Sequence, residues 1–209
     1  MKKITIVDYG SGNVLSAQKS FIKIAKDNNI EVDVLISKKL NDVKNSTHIV
    51  LPGQGAFSTC MNGLKKTDGL IDELSEFALI KKKPFLGICV GMQMLAKKSE
   101  ENGDHEGLGW IDGQIKLLPE DNLKLPHMGW NLAIPTNSKY NNLIYDKNDY
   151  YFVHSYYFDC AQKDNILAET KYGTNCASIV GKENIYGVQF HPEKSSSQGL
   201  NLLKEFIRV

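Results

Sequence analysis

The chain has 209 residues, 42% of them hydrophobic, enough for one ordinary globular domain with a sizeable core. Twenty-five basic residues nearly balance 24 acidic ones, and a net charge of +1 exerts no long-range pull toward nucleic acid or an anionic membrane. Cys60, Cys89, Cys160 and Cys176 show no CxxC spacing and point to reduced cytosolic thiols rather than disulfides or a zinc site, while His48, His105, His127 and His154 are too scattered to nominate a metal cluster.

In chain order, the apolar run at 4–7 stops at Asp8, too short for a signal core or a membrane span, and reads as a first strand. Strand-like runs at 32–36, 48–51 and 85–88 follow, alternating with helical stretches near 14–26 and 70–82. That alternation predicts a parallel sheet with crossover helices. The Lys81-Lys82-Lys83 run reads as a solvated helix end, and 100–109 as a polar loop. Beyond residue 101 the strand candidates crowd together, at 114–118, 150–158, 166–169, 177–180 and 185–190, so some of them should pair antiparallel. With no Ser/Pro-rich linker, repeat or low-complexity tract, residues 1–209 are expected to form a single α/β domain. Its fold class is a mostly parallel central sheet flanked by helices, with an antiparallel portion in the second half.

Two fragments far apart carry the chemistry. In PFLGICVGMQ a short buried strand ends at Cys89 and a helix is predicted over 90–98. Gly87 and Gly91 flank the cysteine as small residues flank the serine of a GxSxG nucleophile elbow. A helix N-terminus and a neighbouring imidazolium both favour the thiolate that attacks. In GVQFHPEKS, Pro192 disfavours helix for His191, and in extended chain side chains two apart share a face. Glu193 should therefore reach one imidazole nitrogen while the other meets a thiol. Either fragment alone has an ordinary explanation, a buried core thiol or a His-Pro turn; together they supply nucleophile, base and orienter.

GICVGMQ with GVQFHPEKS resembles the class I glutamine amidotransferases, whose cysteine, histidine and glutamate triad maps onto Cys89, His191 and Glu193. Segments VDYGSGN (7–13), LPGQGAF (51–57), PHMGWN (126–131) and YFVHSY (151–156) resemble one branch in particular, the glutaminase subunits that serve a separate (β/α)8-barrel cyclase in histidine biosynthesis. The likeness runs from Ile4 to the C-terminal helix. It implies hydrolysis of L-glutamine through a thioester in a cytoplasmic heterodimer, with no cofactor, metal, nucleic acid or membrane. It further implies an oxyanion hole from Gly53, Gln54, Gly55 and the Val90 amide, completed by a peptide flip that the partner triggers. Glutamine would be held by Gln93, Glu101, Ser155 and Tyr156, and the partner would meet Asn13, His127, Trp130, Tyr151 and Lys194. Gln54 departs from the valine expected between the two glycines. An alternative is a paralogous glutaminase feeding another acceptor, such as a sugar-amidating synthase; PHMGWN argues against the vitamin B6 system, and a complete triad argues against a noncatalytic module.

Overall fold

Apolar runs too hydrophobic for a half-exposed strand pack in the middle of a sheet, and amphipathic stretches cover them. The computed structural model describes residues 1–119, 123–136 and 138–209. The first half runs β1 (Lys2–Val7), α1 (Val14–Asp27), β2 (Val32–Ser37), α2 (Leu40–Lys44), β3 (His48–Gly53), α3 (Phe57–Lys65), α4 (Leu70–Ser75), β4 (Phe85–Cys89) and α5 (Val90–Gln93). The second half runs β5 (Lys98–Ser99), β6 (His105–Glu106), β7 (Gly113–Leu117), β8 (His127–Pro135), β9 (Asn148–His154), β10 (Tyr156–Cys160), β11 (Ile166–Tyr172), β12 (Thr174–Lys182), β13 (Ile185–Val188) and α6 (Ser196–Arg208).

The large sheet has the order β2-β1-β3-β4-β13-β12-β11-β8-β9. Its first five strands are parallel neighbours and the rest are antiparallel. A second sheet, β10-β7-β5-β6, lies apart. Every residue of β3, β4 and β13 is buried, as parallel strands covered on both faces should be. Helix α1 buries Ala17, Phe21, Ile24 and Ala25, one helical face, and α6 buries Leu202, Leu203, Phe206 and Ile207. Because β3, β4 and β13 are adjacent, with Gly53 opposite Cys89 and Val188 opposite Ile88, their carboxyl ends open onto one place.

The expected parallel sheet with an antiparallel second half is observed, but four local readings change. The expected strand at 150–158 is two strands in different sheets, broken at Ser155, where the His154 ring turns back and its Nδ1 meets the Tyr156 carbonyl at 2.8 Å. The helix expected over 90–98 ends at Gln93. Tighter turns follow, with Leu95 N–H on Met92 O and Ala96 N–H on Gln93 O, and then Lys97 N–H joins Gly113 in the second sheet. The helix expected over 70–82 is α4 continued by a π-turn, Glu76–Ile80. PHMGWN, read only as a motif, opens the nine-residue strand β8.

Glycines hold the junction of β3, β4 and α5 at backbone contact. A Cβ on Gly91 would lie 1.8 Å from the Leu51 carbonyl oxygen, and one on Gly53 only 2.5 Å from the Gly91 nitrogen. Gly91→Ala must therefore push α5 off β3, at a cost of about 3 kcal/mol, as overpacking against rigid backbone does. The expected result is a melting temperature lowered by roughly 6–12 °C, together with loss of Cys89 reactivity; an unshifted melt would contradict this packing.

Candidate active site

Cys89 is where the last residue of β4 turns into α5. Its backbone, at φ 56° and ψ −113°, occupies a region that L-residues avoid, held there by the glycine contacts on either side. Since α5 is a single turn, its dipole offers less than the longer predicted helix would, and charge assistance falls to His191.

His191 follows β13 in extended conformation, φ −99° and ψ 97°. Its N–H donates to the Tyr151 carbonyl at 2.9 Å. The buried Ser195 hydroxyl donates to the His191 carbonyl at 2.6 Å and accepts from the Tyr151 N–H at 2.9 Å, so β9 clamps the histidine backbone twice. Nδ1 lies 2.9 Å from Glu193 Oε1, both side chains buried. The pairing was expected, but its cause differs: Pro192–Lys194 is a 3-10 turn, and that turn, not strand alternation, folds Glu193 back onto the ring. Burial pulls the imidazole down, yet hydrogen bonds and charge from Cys89 and Glu193 outweigh it and push His191 up to about 10. Cys89 and Glu193 thus both act on the same ring.

A sign follows for stability. A histidine raised in the folded state stabilises fully below its ordinary value of 6.5, and that contribution disappears as pH climbs through about 10. Wild type should therefore lose melting temperature relative to His191→Asn between roughly pH 7 and 10. Parallel melting curves over that range would mean the ring is not held charged.

The loop after β3 is held from outside. Tyr9 O–H donates to Pro52 O at 2.6 Å, and Ser11 Oγ–H to Gln54 O at 2.7 Å with the Cys60 thiol on the same oxygen at 3.4 Å. The Gln54 N–H turns to Ser11 Oγ at 3.4 Å, so in this arrangement that expected oxyanion donor is engaged by Ser11. Gly53 packs against Val90 and Gly91, whereas Gly55 has open space at its Cβ and a positive φ of 89°.

A cavity of about 290 Å³ joins these parts. Gln54, Gly55, Cys89, Val90 and His191 line it, and so do all four residues expected to hold glutamine, Gln93, Glu101, Ser155 and Tyr156. Glu101 is no free loop charge: its Oε2 accepts the Phe57 N–H at the head of α3, at 2.7 Å. Gln93 is buried and donates through Nε2 to both Tyr156 O and Gln189 Oε1, each at 3.0 Å.

The residues expected to meet a partner divide. Trp130 is 53% exposed on β8 and lies edge-on to Tyr151 at 6.2 Å between ring centroids. With Met128, Leu132 and Ile134 it makes an exposed apolar stripe of alternate residues beside the cavity, which Lys194 also lines. Asn13 instead caps α1 through its side chain. His127 is buried in this chain, stacked between Phe152 and Tyr172 and bonded to His154 Nε2 at 3.0 Å, because its place on β8 faces inward. Gln189, His154, Ser195, Tyr9 and Ser11 were assigned no role from the sequence; Gln189 and Ser195 stand within GVQFHPEKS, and Tyr9 and Ser11 within VDYGSGN, which was the available signal.

Among the described residues no group of three or more His, Cys, Asp or Glu could hold a metal ion, and no helix is long and apolar enough to cross a membrane. A strained sulfur at a strand end, a buried imidazole and a carboxylate behind it form, on an α/β sheet, the kind of arrangement that thiol hydrolases use. The chain belongs to the class-I glutamine amidotransferase family, whose model matches residues 5–209. It is 44% identical to the imidazole glycerol phosphate synthase subunit HisH of Pelagibacter ubique, over 99% of each chain, and 42% identical to the same subunit of Rhodospirillum rubrum, over 99% of this chain and 98% of that one. Among solved structures it resembles a glutamine amidotransferase with a TM-score of 0.72 at 16% identity, covering 98% of this chain and 97% of that one. A second resemblance, to a glutamine amidotransferase of Thermotoga maritima, has a TM-score of 0.63 at 18% identity, covering 99% and 83%.

Proposed function

We propose that this chain is the glutaminase subunit of imidazole glycerol phosphate synthase, a single amidotransferase domain working in the cytoplasm on L-glutamine. The observation that carries the reading is that Cys89 and His191 line one cavity at the ends of adjacent strands, with Cys89 and Glu193 both bearing on the His191 ring. The Cys89 thiolate attacks the side-chain carboxamide carbon, the C–N bond breaks, and the proton on His191 goes to the departing ammonia. A glutamyl thioester remains. Neutral His191 then takes a proton from water, which attacks the thioester and releases glutamate and the thiolate. Glu193 Oε1 holds Nδ1 throughout, leaving Nε2 for these transfers.

Ammonia released into neutral water becomes ammonium, which is no nucleophile, so it must pass directly to an acceptor. The proposed partner is a (β/α)8-barrel cyclase, which would use it to make imidazole glycerol phosphate and aminoimidazole carboxamide ribonucleotide. The stripe of Met128, Trp130, Leu132 and Ile134 supports such a dock, with Trp130 as its anchor. The test is a glutaminase assay with and without the cyclase and its nucleotide; turnover unaffected by either would contradict the reading. Trp130→Ala should weaken cyclase binding by roughly 30-fold in calorimetry, the loss of one hot spot, without moving the melting temperature. Undiminished affinity would place the dock elsewhere.

A further inference from the structure

One buried side chain beside the sulfur has no part in the reaction as described. Gln189, fully buried just past β13, receives the Gln93 N–H on its Oε1 at 3.0 Å and turns its own Nε2 to Cys89 Sγ at 3.9 Å. The direction of these bonds is set at the Tyr156 carbonyl, which can only accept. It accepts from Gln93 Nε2, so the Gln93 carboxamide has one orientation. The second Gln93 N–H lies on Gln189, so the Gln189 oxygen faces Gln93 and its N–H faces the sulfur. Both Gln93 hydrogens are then in use, and what this cavity-lining residue keeps for a ligand is Oε1, an acceptor.

The same carbonyl is fixed from its other side. His154 Nδ1 lies 2.8 Å from Tyr156 O and must donate, which makes its Nε2 the acceptor for His127 Nδ1. His127 Nε2 in turn accepts from Asn131 Nδ2, at 3.1 Å. Burial lowers both imidazoles, to about 3 for His154 and about 4 for His127, in keeping with two neutral rings.

We infer that Gln189 is a positioning residue for the glutaminase reaction: one carboxamide both donates a hydrogen bond to the nucleophilic sulfur and locks Gln93 so that the pocket offers an oxygen acceptor to the substrate's amide N–H. The inference rests on the glutaminase reading. It gives the pocket a preference for a carboxamide over a carboxylate, whose oxygens would meet the Gln93 oxygen with no hydrogen between them.

Iodoacetamide labelling of Cys89 in the full chain, followed by peptide mass, tests this without a partner. Gln189→Met keeps the volume and removes the polar atoms. It should slow labelling at neutral pH roughly three- to tenfold, with the rate regained at alkaline pH, and raise the glutamine concentration that half-protects Cys89 about tenfold. Gln93→Met should weaken protection similarly, and the double variant should be no worse than Gln93→Met alone, because both act through one link. Unchanged labelling and protection in Gln189→Met, or losses that multiply in the double variant, would overturn the inference. Should Gln189→Met not fold, NMR of the wild type decides. The Gln189 side-chain amide signal should move over the pH range in which labelling accelerates, and a static signal overturns the inference. Failure of glutamine to protect wild-type Cys89 would instead strike the glutaminase reading itself.

Discussion

Cys89→Ala should abolish ammonia release from glutamine, by about 10⁴-fold or more, because the sulfur is the atom that forms the covalent intermediate and no neighbour can replace it. The other cysteines offer no substitute. Cys160 and Cys176 lie outside the cavity, and burial pushes both thiols up to about 12, while Cys60 is fully buried against Ser11 and Gln54. The elbow is built by backbone contacts at Gly53, Gly87 and Gly91, so alanine at 89 leaves the fold intact. In the assembled enzyme, cyclisation supplied with ammonium salt should therefore continue at its wild-type rate. Loss of both activities would contradict a chain whose task is only to supply ammonia.

Glu193→Gln should lower turnover by roughly 10²-fold or more while the glutamine concentration for half-maximal rate stays nearly constant. The amide has the same shape and still reaches Nδ1, but it no longer stabilises the imidazolium, and presenting its N–H would stabilise the wrong tautomer. Glu193 Oε1 is the only atom on Nδ1 among the described contacts, and Glu193 Oε2 is buried with no partner there, so nothing nearby takes over. A variant that turns over normally would reduce the carboxylate to packing.

What could be read in the chain was what is local in it. The strand runs at 4–7, 48–51 and 85–88 are mostly apolar stretches, the mark of strands covered on both faces, and they fold as β1, β3 and β4, while 32–36, interrupted by Asp33, folds as the half-exposed edge strand β2. Cys89 between Gly87 and Gly91, and His191 two residues from Glu193, announce their chemistry within a few positions. Strand β8 was hidden because its outward residues, Met128, Trp130, Leu132 and Ile134, are the apolar ones, while Gly129 and Asn131 alternate with them, which inverts the usual pattern. The apolar VGMQMLA run looks helical throughout, yet the carbonyls of its second half, Met94, Leu95 and Ala96, accept the N–H groups of Leu108, Ile111 and Gly109, and the next residue, Lys97, bonds to Gly113 of the second sheet. Gln93 and Gln189 are 96 positions apart, and Ser195 meets Tyr151 across 44. No periodicity records such pairs; only the adjacency of β4 with β13, and the packing of β9 on the turn after β13, creates them.

The central claim is that the Cys89 sulfur takes the glutamyl group. Quenching the assembled enzyme in acid during turnover of carbon-labelled glutamine, then mapping its peptides, tests this directly. The account predicts label on the peptide containing Cys89, released by hydroxylamine as a thioester should be. Label on any other residue, or steady turnover with no label trapped at any quench time and no burst of ammonia ahead of glutamate, would contradict it.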